Sequence, residues 1–189
     1  MSRLPRHRLP TPRLPTRGHT LLPFYALLIA AALFIGITGQ TLPDIVASHF
    51  NGDGQVDGFM PRSVYLSFMF TLIILVPLLL ATFPRRAFRR PDADINIPNR
   101  DYWLAPTRRA ATVAFLSRQP PRFAALLLVF LCYAHWLVVR ANQQPLPHLP
   151  EFEMLAGLAV FLVAAAVWAI SFLRYFRRIP RTDNPPRQS

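Results

Sequence analysis

The chain has 189 residues, 52% of them apolar, and a formal net charge of +12 carried by 21 basic residues that are all arginine. The apolar residues come in long blocks with the arginines flanking them, which excludes an ordinary soluble core and suits lipid headgroups better than nucleic acid. The single cysteine, Cys132, excludes an intrachain disulfide and says nothing of redox compartment.

In chain order, residues 1–20 alternate proline with Arg3, Arg6, Arg8, Arg13 and Arg17; such a segment has no core to form and is expected to be a disordered basic tail on anionic lipid. Residues 21–39 then supply an apolar block of the ~20 residues that cross a hydrocarbon layer of about 30 Å as a helix. The block is long for a signal-peptide core and no convincing small-residue cleavage site follows, so it is expected to be a retained span. Residues 40–62 form a polar loop, and 63–83 a second span with Pro77 inside it. Residues 84–122 are arginine-rich, punctuated by prolines, and too short for a core of their own. Within them Tyr102, Trp103 and Leu104 form an amphipathic cluster suited to headgroup depth. Residues 107–118 favour a short basic interfacial helix capped by Thr107. Residues 123–139 make a third, short span that contains His135, and 140–151 a second polar loop. Residues 152–173 make the fourth span and 174–189 a basic tail. The expected fold class is therefore an all-α integral membrane protein of four transmembrane helices over 21–173.

Charge sets the expected orientation. Of the arginines, only Arg62 and Arg140 fall in the loops 40–62 and 140–151. The positive-inside rule then puts both termini and 84–122 in the cytoplasm and the other two loops outside.

The first outer loop contains His49-Phe50-Asn51-Gly52-Asp53-Gly54-Gln55-Val56-Asp57-Gly58, which invites comparison with a calcium loop. With Gly54 at position six, Asn51, Asp53 and Asp57 fall at three, five and nine, but position one is His49 and position twelve Met60. The two strongest ligands are missing, so this is not an EF-hand. Asn-Gly and Asp-Gly are turn dipeptides because they tolerate positive φ, and a plain turn is the simplest reading. A ligand- or partner-binding site built on His49, Asn51, Asp53 and Asp57 is the sharper one. A divalent metal held with His135 or His148 is an alternative, but no paired-histidine motif supports it. His135 itself reads as an interfacial residue beside Tyr133 and Trp136, and no acid or base is expected deep in the bilayer. Ser48 beside His49 is no nucleophile–base pair, since chain neighbours point apart.

Two stretches carry a resemblance. Pro43, His49, Gly54, Asp57 and Gly58, directly after the first span, resemble a small bacterial domain of unknown function found at the N-terminus of SdpI-like immunity and signalling membrane proteins. Asn96, Pro98, Asn99, Tyr102, Trp103, Pro106 and Arg109 resemble the cytoplasmic signature of its stand-alone four-span members. The resemblance covers about residues 20–122. It implies an accessory, sensing or immunity-like protein of the bacterial inner membrane, with Asn99, Tyr102, Trp103 and Arg109 as a cytoplasmic interface motif. Only two spans follow, so the larger relatives' immunity domain does not carry over. The expected function is non-enzymatic, without a cofactor and without nucleic acid, the partners being the lipid bilayer and a protein, peptide or ion at the outer face. An oligomeric transporter or channel subunit and a membrane metalloenzyme are the alternatives.

Overall fold

Leu22–Gly39 forms helix α1, opened by Pro23 in its first turn, where the missing N–H has no helical partner to lose. Ile45–Phe50 and Val56–Pro61 form strands β1 and β2, and Arg62–Phe88 forms α2. Arg100–Trp103 and Pro106–Leu116 are the short helices α3 and α4; Gln119–Asn142 and Glu151–Arg177 are α5 and α6. This computed structural model describes residues 21–90 and 94–179, so the basic tail expected at 1–20, and residues 180–189 of the one expected at 174–189, lie outside the described residues. Among the described residues, four helices are long and apolar enough to cross a membrane: α1, α2, α6 and one within Pro106–Asn142 that includes α5. Continuous apolar blocks take this form because a helix pairs its own backbone groups, which hydrocarbon cannot do for it.

The chain is mostly helical rather than all-α. Residues 45–61, expected as an irregular loop, fold into a two-stranded antiparallel hairpin. The third apolar block, apparently short at seventeen residues, lies in a helix that gains a turn at its N-terminus through Gln119–Arg122 and continues to Asn142. The interfacial helix begins at Pro106 rather than being capped by Thr107, because proline fits the first helical position and leaves Ala105 as N-cap. α6 runs on through Arg174 to Arg177, into the segment expected as tail.

Helices α1, α2 and α5 pack against one another, and α6 lies along α5. On α2 the buried residues Tyr65, Met69, Ile73, Pro77 and Ala81 recur about every turn and form one stripe. That stripe meets Ala31 and Ile35 of α1 and Leu128 of α5 near the hairpin, and Phe24 and Ala124 at the far end.

The segment after α2 finds its core by borrowing from α6. Ile95, Ile97 and Leu116 close around Phe176, which is fully buried. Tyr175 stacks on Phe115 with ring centroids 4.1 Å apart and on Trp103 at 5.1 Å. The last carbonyls of a helix lack intrahelical donors. Here the Asn99 side-chain amide donates to Phe176 O at 2.9 Å and Arg177 O at 3.2 Å, and the Trp103 indole donates to Phe176 O at 2.9 Å. Trp103 thus helps to close the end of α6.

Asn99 has φ +53, a left-handed conformation that asparagine tolerates better than alanine. Asn99→Gly removes the cap alone, whereas Asn99→Ala also strains the backbone. Equilibrium unfolding in mixed micelles is expected to show a loss of about 1–2 kcal/mol for glycine and a further ~1 kcal/mol for alanine.

Candidate functional site

The hairpin is built from short strands whose register slips twice. Ala47 pairs with Phe59, His49 with Gly58 and Phe50 with Val56, so Ser48 on β1 and Asp57 on β2 stand outside the pairing. Such bulges turn side chains to new directions, and here they bring His49 Nδ1 and Asp57 Oδ1 into direct contact across the strands. Gly58 makes this possible: a Cβ there would sit 2.8 Å from that of His49. Both side chains remain exposed, at 75% for His49 and 45% for Asp57, so the pair adds little to stability and stays accessible.

Asn51 and Asp53 belong to the turn. Asn51 Oδ1 accepts from the amides of Asp53 at 3.0 Å and Gln55 at 2.9 Å, an Asx turn that holds the tip. Gly54 takes φ +71, open to glycine, and its carbonyl accepts from Leu149 N at 2.9 Å. A His148 ring N–H donates to Asp53 O at 3.1 Å from the second polar loop. The Asn51 side chain therefore shapes the tip and Asp53 takes part through its main chain, while His49, Asn51, Asp53 and Asp57 are all exposed.

Three ties fix the hairpin to the helices. At its base the Arg62 guanidinium donates to Leu42 O at 2.9 Å and pairs with Asp44 at 3.0 Å. At its tip stands the bridge to residues 148–149. In the middle, Asn142 at the end of α5 accepts from Ala47 N at 2.8 Å and donates to Ala47 O at 2.9 Å, so a side-chain amide replaces a neighbouring strand.

Beneath the hairpin lies a group whose partners the sequence reading did not foresee. His135 is fully buried between α1, α2 and α5. Its Nδ1 lies 2.9 Å from Tyr65 Oη and its Nε2 2.9 Å from Thr38 Oγ1. Thr38 has one proton to give and donates it to Phe34 O at 2.7 Å, so it accepts from Nε2–H and Tyr65 donates to Nδ1. The ring also stacks on Tyr65 and meets Phe34 edge-on. A base is thus present within the bundle, enclosed by hydrogen bonds. Its sequence signal was weak: a histidine between Tyr133 and Trp136 gives no sign of partners on two other helices.

His49, His135 and His148 do not converge, and no three His, Cys, Asp or Glu side chains among the described residues form a metal-holding group. Two mainly apolar crevices flank α5, about 410 Å³ against α1 and about 380 Å³ against α6, with Tyr133 lining both. Of the residues in the other motif, Asn99 and Trp103 cap α6. Tyr102 lies under the Arg108 guanidinium at 4.1 Å, and Arg109 lines a separate cavity by the end of α2.

Tyr65→Phe leaves the buried Nδ1 of His135 without a donor and is expected to destabilise the protein by about 1–3 kcal/mol. Replacing the whole set with Thr38→Val, Tyr65→Phe and His135→Leu is expected to cost less than the sum of the single changes, measured by unfolding in mixed micelles.

Residues 26–75 match the family model described as "Domain of unknown function (DUF1648)". No curated protein and no solved structure matches the chain. The match begins in α1, includes the whole hairpin and ends within α2, and over these residues the chain carries a DUF1648 domain.

Proposed function

We propose that this protein is a non-enzymatic accessory or sensing protein of the bacterial inner membrane, with both termini in the cytoplasm, whose hairpin binds a protein or peptide at the outer face. The observation that carries the reading is a hairpin fixed in advance at its base, middle and tip, with functional groups left exposed. His49 and Asp57 stand together in solvent, and Phe59 and Ile45 project at 62% and 58% exposure. An exposed aromatic beside paired polar groups is a usual protein-binding combination. Because the tip is already ordered, a partner would lose little free energy in organising it. The orientation is supported by the distribution of arginine, which leaves the hairpin on the arginine-poor side. Asn51 and Asp53 serve by holding the tip in shape, and His49 and Asp57 by contact.

A photoreactive side chain at Phe59, activated in intact membranes, tests this. The expected result is a discrete adduct whose yield falls about tenfold with His49→Ala and Asp57→Ala together, the loss typical of a hot-spot contact. The same variant should insert and unfold like the wild type. An adduct indifferent to the two substitutions, or none, removes the hairpin from recognition.

A further inference from the structure

The two edges of the hairpin differ. The outer edge of β1 is closed at its middle: Ala47 N donates to Asn142 Oδ1 at 2.8 Å, and Ala47 O accepts from the same amide at 2.9 Å. An N–H so engaged points away from β2, so Ala47 and Phe59 are a pair that exchanges no main-chain bonds. The alternation of an antiparallel ladder agrees, since farther along Arg62 N donates to Asp44 O at 2.8 Å. The N–H and C=O of Phe59 therefore point out of the opposite edge, away from β1.

That edge already takes an extended segment at one end. Gln55 turns its N–H and C=O towards Asn51, on the β1 side. The neighbouring Gly54 C=O turns outward and accepts from Leu149 N at 2.9 Å, and His148 forms a single antiparallel bridge with Gln55. Among the described residues the pairing stops there. Pro145 and Pro147, next along the segment, have no N–H with which to continue a ladder. Phe59 lies beyond, at 62% exposure, and the elements packed against β2 are β1 and its own continuation α2. An edge with donor and acceptor turned outward is a template for another extended chain.

The side chains of β2 define which chain. Asp57, Phe59 and Pro61 alternate on its exposed side. His49 contacts Oδ1 of Asp57, which leaves Oδ2 to a guanidinium or an ammonium group. At this end of the molecule Arg62 and Arg140 are paired with Asp44 and Glu153, so Asp53 and Asp57 have no arginine among the described residues. Pro61 has no N–H and ends the edge, which keeps the added strand short.

We infer that the free edge of β2 takes up an extended segment of the partner protein as a third strand, bonded to the N–H and C=O of Phe59, with a lysine or arginine beside Asp57 and an apolar side chain beside Phe59. The inference rests on the hairpin being the partner-binding element and adds how the partner is held. Main-chain bonds fix the segment, and the two side chains select its charge and its apolar residue.

The photoreactive residue at position 59, introduced once as the amino acid and once as its hydroxy acid, tests this. The hydroxy acid turns the N–H of that residue into an ester oxygen and keeps the side chain. In intact membranes the ester form is expected to give about fivefold less adduct, as the loss of one main-chain hydrogen bond predicts. A hydroxy acid in place of Ile45, whose N–H points out of the β1 edge, should leave the yield unchanged. Sequencing of the adduct should find a lysine or arginine flanking the attachment point. Equal yields from amide and ester would overturn strand addition, and continued dependence on His49 and Asp57 would then leave the hairpin's own role standing. No adduct from either form would remove both. A partner segment without a basic residue would overturn the chemistry assigned to it. An unfolding midpoint lowered by the ester would mean that the fold itself uses this N–H, and would overturn the free edge.

Discussion

An imidazole enclosed by membrane helices must have partners for both nitrogens, and the rest of this structure follows from where His135 finds them. Thr38 on α1 and Tyr65 on α2 are the partners, so one residue of α5 sets the register of all three helices. Polar ties of this kind within a membrane contribute about 0.6–2 kcal/mol each, modest beside apolar packing but specific in position. Leu128, His135 and Asn142 recur about every two turns and share one face of α5. Leu128 packs in the apolar core, His135 joins the helices, and Asn142 reaches past their ends to clasp Ala47. The hairpin is thereby mounted on the same face that organises the bundle.

The helices were legible in the sequence because continuous apolar blocks leave one solution in lipid. The hairpin was not, although its turn residues were. Its strands are six residues each and doubly bulged, so alternation is lost, and β1 leans on a side chain almost a hundred residues away. His49 and Asp57 were named from the loop, but their contact depends on the two bulges, which no local pattern announces. Asn51 and Asp53 were named for binding, and the structure adds that the Asn51 side chain and the Asp53 main chain hold the tip. His135 and Trp103 looked suited to an interface by residue type, which says nothing of the partners distant in sequence that satisfy each of them. Asn99 and Trp103 stood out as a motif, and the physical demand behind it is the unpaired carbonyls at the end of α6.

The two ends of the molecule differ in chemistry. The hairpin end is short of arginine and carries acids, among them Asp44, Asp53 and Asp57, with one tightly built element exposed. The other end gathers arginines around a small aromatic core that closes over α6. The helix packing between them is what makes the pair a single body.

The most direct measurement of that claim is the distance distribution between spin labels at Gly52, in the hairpin tip, and Leu22, at the far end of α1, in a Cys132→Ala background. A side chain at Gly52 meets nothing within 4 Å and Leu22 is 66% exposed, so both labels are accommodated. A hairpin mounted on the bundle predicts one narrow distance, as narrow as between two sites on one helix. A broad or two-peaked distribution would mean that the hairpin moves freely over the helices, and would contradict the account.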